Sequence, residues 1–182
     1  MRLRLLGIPL AIAAAFPATA ALSPGVQAPD FSTRGAINGK VFKLRLSSQL
    51  KKGPVVLYFF PAAYTGGCNA EAHEFSEAIP DFQAAGAQVI GMSADTIPTL
   101  QKFSQEKCAG KFAVASAGPK IVKDYDVALD RMIADPFTKK MRKVTDRTSY
   151  VIGRDGKIAF VHSNLSAADH VRLTLAAVRA LK

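Results

Sequence analysis

The sequence predicts an α/β protein with one central sheet, parallel in part, covered by helices and carrying an antiparallel pair at its edge. Three observations lead there. The run VVLYFF, Val55 to Phe60, has no polar residue except Tyr58, as expected of a strand covered on both faces. From that run onward, strand-like and helix-like segments alternate. The chain then closes on a hairpin, RTSYVIGRDGKIAFVH, and a final amphipathic stretch.

Each element has a local reason. Residues 23–29 hold two prolines and read as an extended arm. AINGKVFKL reads as a hairpin turning at Asn38-Gly39. Ser47 to Lys52 is a short helical turn, and Gly53-Pro54 launches the central strand. Ala70 to Ala85 places Ala72, Phe75, Ala78, Ile79 and Phe82 at helical spacing, with Pro80 expected to kink or divide it. QVIGMS, Gln88 to Ser93, is the next strand. A helix follows over Thr96 to Lys107, capped by Asp95 or Thr96 with Pro98 in its first turn. Cys108 falls at its end. Phe112 to Ala115 reads as a short strand and Lys120 to Tyr125 as a short helix. Val127 to Asp146 is a basic connection without a clear period. Arg147 to Ile152 and Ile158 to His162 form the closing hairpin, and Ala167 to Leu181 the last helix.

The first twenty residues read differently. Arg2 and Arg4 precede an apolar stretch, Leu5 to Phe16, and Ala18-Thr19-Ala20 forms a cleavage site. Pro9 and Pro17 break a run too short to span a bilayer. Residues 1–20 are therefore expected to be a signal peptide, cleaved or retained as an anchor, and residues 21–182 a single exported domain. With cleavage the protein is expected in the periplasm or outside the cell, without stable membrane association. The formal net charge is +10. Its one dense cluster is Lys139-Lys140-Met141-Arg142-Lys143, without the interleaved aromatics of a nucleic-acid surface. His73, His162 and His170 show no ligand spacing with the cysteines, so no metal or other cofactor is expected. His162 reads as a strand residue and His170 as helix surface.

Chemistry points to PAAYTGGCNAE, Pro61 to Glu71. The chain has two cysteines, Cys68 and Cys108, and export makes a plain structural disulfide a serious alternative. Such a bond would contribute roughly 4 kcal/mol through loop entropy. Cys68, however, follows the carboxyl end of a central strand and opens a helix. Ligands bind at that end of α/β sheets. Free N–H groups and the helix dipole there favour a thiolate. Gly66 and Gly67 let backbone amides approach a bound molecule. Ionising a thiol raises its reactive fraction by roughly thirtyfold, about 2 kcal/mol. A fast thiol enzyme needs a further charge donor, and Arg147, at the start of RTSYVI, is the candidate.

APDF at 28–31, the strand VVLYFFP, the cysteine loop, VIGMSAD at 89–95 and RTSYVIGRDGK at 147–157 together resemble a peroxiredoxin of the Q-type, or bacterioferritin-comigratory, subgroup. The resemblance spans nearly all of residues 21–182. Pro61, Thr65 and Cys68 match the family's Pro-x3-Thr-x2-Cys pattern. It implies a thioredoxin-like fold with an N-terminal hairpin extension and a hydroperoxide substrate. Cys68 would be the peroxidatic cysteine, Thr65 would hold the peroxide, and Pro61 would shield the thiolate. Arg147 would polarise the peroxide, and Glu71 would be the loop carboxylate that positions the arginine. Asn69 stands where the family usually has Thr or Ser. His73 stands where many Q-type members place a second cysteine. Cys108 is then the expected resolving partner, with a thioredoxin-like dithiol protein as reductant and a monomeric state. A thioredoxin-type oxidoreductase would need a C-x-x-C pair, which Cys68 lacks. A redox sensor or holdase switched by a Cys68–Cys108 disulfide shares every cysteine feature.

Overall fold

The computed structural model describes residues 21–181, so the expected signal segment lies outside the described residues. The central sheet has seven strands. They are β1 (Ser32–Ile37), β2 (Lys40–Arg45), β3 (Val55–Phe59), β4 (Gln88–Ser93), β5 (Ala113–Ser116), β8 (Thr148–Ile152) and β9 (Ile158–Ser163). Their order is β2-β1-β5-β4-β3-β8-β9. The β3–β4 and β4–β5 pairs are parallel, and the others are antiparallel. The N-terminal hairpin is thus one edge of the main sheet rather than an appendage. Asn38 and Gly39, both at positive φ, make its turn.

The helices are α1 (Leu46–Leu50), α2 (Gly66–Ala84), α3 (Ile97–Glu106), α4 (Pro119–Asp124) and α5 (His170–Ala180). The alternation of β3 decides which covers which face. Val56 and Tyr58 point into a cluster with Phe75 and Phe82 of α2, Phe103 of α3 and Val178 of α5. Val55, Leu57 and Phe59 point into a second cluster with Leu46, Leu50 and Ile121. Every β3 side chain is buried, as the unbroken apolar run requires.

Three expectations are corrected. Pro80 neither ends nor divides α2, which runs through it to Ala84. The basic connection contains a ribbon of two antiparallel strands, β6 (Ala128–Ala134) and β7 (Met141–Thr145), apart from the main sheet. It escapes pattern reading because most of its side chains are exposed and a register shift between Leu129 and Met132 interrupts the alternation. His170 is fully buried at the start of α5 rather than on the helix surface. The helix starts three residues later than expected, after Asp169 in the left-handed region.

Candidate active site

Strand β3 delivers the chain to the site. Phe60 N–H still donates to Met92 O at 2.9 Å, and Thr145 Oγ1 donates to Phe60 O at 2.7 Å. Pro61 has no N–H to continue the ladder, so the chain leaves the sheet there. Ala63 N–H donates to Asp95 Oδ2 at 2.9 Å, and Ser93 Oγ donates to the same oxygen at 2.6 Å. Tyr64 takes φ 66, a conformation uncommon for a bulky residue. Its hydroxyl on Glu106 Oε2 at 3.0 Å and its ring against Phe103 and Phe137 hold it.

Thr65 is the N-cap of α2 by backbone geometry, but its hydroxyl does not cap the helix. Thr65 Oγ1 donates to Ala62 O at 3.0 Å instead, which leaves its lone pairs available. Gly66, Gly67 and Cys68 form the first turn of the helix, where backbone N–H groups have no intrahelical acceptor. The first i to i−4 bond runs from Asn69 N to Thr65 O at 2.8 Å.

The Cys68 sulfur sits at the positive end of this helix and is only 2% exposed as a residue. Arg147 Nη2 donates to it at 3.5 Å. Arg147 is likewise buried and fully engaged: Nη1 donates to Glu71 Oε2, and Nε donates to Leu165 O at 2.9 Å. A Cβ on Gly67 would come within 3.3 Å of Nη2, so the glycine makes room for the guanidinium. Glu71 lies on α2, one turn after Cys68 and on the same face, within the stretch read as helical. Burial pushes its carboxyl up to about 8, against the pull of Arg147. Burial also opposes the charge on Arg147, but Glu71 and the sulfur outweigh it and hold the guanidinium protonated. The other carboxylate oxygen, Oε1, is buried without a hydrogen-bond partner.

Cys68, Glu71 and Arg147 therefore converge, and Pro61 and Thr65 frame the loop in front of them. Cys108 lies past the end of α3, also buried and also a free thiol. It shares an apolar cluster with Cys68 and Tyr58. Burial pushes its thiol well above the ordinary range.

Sequence reading missed several members. Asp95 anchors the cysteine loop and receives Arg142 Nη2 from β7, an ion pair buried at its carboxylate end that ties the ribbon to the loop. Ser149 and His170 lie behind Glu71, all buried. One signal was available: His170, Thr174 and Val178 share a face at spacing four, and Val178 already marked it as inward.

Taken together, the fold and the site define a thiol-based redox protein: a cysteine at a helix start above a mixed sheet, facing a buried arginine. The sequence pattern of the AhpC/TSA family matches residues 24–161, and the chain belongs to that family. Among curated relatives it is 32% identical to the chloroplastic peroxiredoxin Q of Suaeda salsa over 163 residues, covering 89% of this chain and 70% of the relative. The chloroplastic peroxiredoxin Q of Arabidopsis thaliana is also 32% identical, with 88% and 69% covered. Among solved structures, peroxidoxin BcpB of Mycobacterium tuberculosis aligns with a TM-score of 0.73 at 30% identity, covering 87% of this chain and 97% of that one. A peroxiredoxin Q structure from Xanthomonas campestris shares the fold with a TM-score of 0.66 at 24% identity.

Proposed function

We propose that this protein is a thiol peroxidase that reduces hydroperoxides through Cys68. The observation that carries the reading is the contact of Arg147 Nη2 with the Cys68 sulfur at 3.5 Å, at the first turn of a helix. Family membership and the named peroxiredoxin Q relatives support it.

The Cys68 thiolate attacks the terminal oxygen of the peroxide. A sulfur–oxygen bond forms as the oxygen–oxygen bond breaks, and the departing oxygen leaves as water or an alcohol after taking a proton. Sulfur is oxidised to sulfenic acid and the peroxide is reduced. Arg147 stabilises the charge that moves onto the departing oxygen, Thr65 holds the peroxide, and Pro61 shields the sulfur. Glu71 keeps Arg147 oriented. No metal or cofactor enters this scheme.

Cys108 then condenses with the sulfenic acid, forming the disulfide and releasing water. Both sulfurs are buried in the reduced protein, so this step requires the first turn of α2 and the end of α3 to loosen. A thioredoxin-like dithiol reduces the disulfide and closes the cycle. The protein works as a monomer in the periplasm or outside the cell, after loss of residues 1–20. The same disulfide would serve a redox sensor or holdase, and only turnover separates that reading from an enzyme.

The test is the intact mass of the reduced protein after one equivalent of hydrogen peroxide. Loss of two hydrogens in the wild type, and gain of one oxygen on Cys68 in Cys108→Ser, is the expected result. Oxygen gained in both would place the resolving thiol outside the chain. No fast change in either would overturn the peroxidase reading.

A further inference from the structure

Behind the Arg147–Glu71 pair lies a second layer of buried polar groups that the scheme above does not use. His170 opens α5 and has no exposed surface. Its Nε2 lies 3.0 Å from Asn164 O. A carbonyl oxygen only accepts, so Nε2 carries the hydrogen. Nδ1 lies 2.8 Å from Ser149 Oγ. Burial pushes the imidazole down to about 4, so the ring is neutral near pH 7. Nδ1 is therefore a bare acceptor, and Ser149 donates to it.

Two consequences reach the site. The Asn164 carbonyl that receives His170 belongs to the loop that holds Arg147. Leu165 O accepts from Arg147 Nε at 2.9 Å, and Asn164 N–H donates to Arg147 O at 3.1 Å. The second consequence concerns Glu71. His170 Nδ1 lies 3.9 Å from Glu71 Oε1, the carboxylate oxygen without a donor. With the Nδ1 lone pair already taken by the Ser149 hydroxyl, His170 offers Glu71 no competing hydrogen bond. In the other tautomer Ser149 would accept instead, and an N–H dipole 3.9 Å from Oε1 would pull Glu71 away from Arg147. The ionisable groups around the ring are Glu71 from α2, Arg147 just before β8, and His162 from β9, whose ring centroid is 4.5 Å away.

We propose that His170 is a positioning residue for peroxide reduction: its Nε2–H fixes the loop that holds Arg147, and its unprotonated Nδ1 leaves Glu71 to Arg147 alone. The inference rests on the reading of Arg147 as the charge donor at Cys68.

The test compares wild type, His170→Leu and His170→Gln as reduced, full-length domains. Three quantities are read: the rate of Cys68 oxidation by hydrogen peroxide, the pH midpoint of Cys68 alkylation by iodoacetamide, and Tm. His170→Leu is expected to slow oxidation by about ten- to a hundredfold, the scale of a roughly 1 Å misplacement, and to move the alkylation midpoint upward. In His170→Gln the amide Nε2 still reaches Asn164 O, and the rate is expected within about threefold of wild type. Nitrogen-15 spectra of the wild-type histidines should show His170 protonated at Nε2.

If His170→Leu lowers Tm but leaves rate and midpoint unchanged, the residue is merely structural and the proposal is overturned. A glutamine variant as slow as the leucine variant, or a wild-type His170 protonated at Nδ1, also overturns it. Should His170→Leu fail to fold, the glutamine variant and the tautomer decide. A wild type inert toward peroxide would sink the peroxidase reading instead, while the midpoint and the tautomer would still judge His170.

Discussion

Cys68 and Cys108 lie in one apolar cluster, and both are almost wholly out of water. Their surroundings differ in charge. Cys68 has a helix start beneath it and the Arg147 guanidinium 3.5 Å away, itself bonded to Glu71. Cys108 follows the end of a helix, where the dipole is negative, and burial alone acts on its thiol and pushes it up. Burial thus has opposite meanings at the two sulfurs. Around Cys68 it leaves little water between the sulfur and the helix start and guanidinium that face it. Around Cys108 it keeps the thiol protonated until the local structure opens. The two thiols share one apolar cluster, but a guanidinium faces only Cys68.

The largest test of this contrast is removal of the sulfurs themselves. Cys68→Ser should abolish peroxide consumption in a stopped-flow assay. Cys108→Ser should leave the first oxidation of Cys68 at the wild-type rate and change only the product, from disulfide to sulfenic acid. Equal losses in both would break the contrast. Next comes Arg147→Ala, expected to slow Cys68 oxidation by about 10²- to 10³-fold, as when a preorganised donor is lost. Circular dichroism should still show a folded protein. A fully active Arg147→Ala would displace Arg147 as the charge donor.

A smaller effect is expected at the loop's anchor. Arg142→Ala leaves the buried Asp95 carboxylate without its cation, which should lower stability by about 3 kcal/mol in urea denaturation. Because Asp95 also holds Ala63, the variant should slow Cys68 oxidation as well. Stability lost without any change in rate would make the Arg142–Asp95 pair a structural fastening only.

The smallest effect is a pH dependence. The folded His170 sits at about 4 against an ordinary 6.5. Between these values the unfolded chain binds the proton and the folded protein does not, so His170 makes stability rise with pH across that window. It is lost as pH falls toward 4. Glu71, raised by burial to about 8, acts in the opposite sense from about 4.5 upward. The difference between wild type and His170→Gln isolates the histidine: the variant should lack the rise between about pH 4 and 6.5 in urea titrations.

Much of the fold was legible because its elements follow local rules. VVLYFF could only be a doubly covered strand, QVIGMS matches β4 residue for residue, and Asn38-Gly39 turns its hairpin. The β6–β7 ribbon was not legible, since a solvated ribbon with a register shift has neither a buried face nor a steady period. Within the site, Pro61, Thr65 and Cys68 stand close in sequence and could be read as one motif. Glu71 belongs to the same local reading, on the helix that Cys68 opens. His170 reads as surface because a polar side chain outweighs its place on an inward helical face.

By itself the sequence determined the alternation of elements, the central strand and the placing of one cysteine at a helix start. Those follow from side-chain period, turn residues and glycines within a few positions of one another. Only the tertiary structure decided that Arg147, 79 residues from Cys68, turns its guanidinium to the sulfur. It alone tied Asp95 to Arg142 and set His170 behind Glu71. The physical reason is common to all three. These are buried polar contacts between distant segments, and their geometry follows from how α2, α5 and the β6–β7 ribbon pack around the sheet.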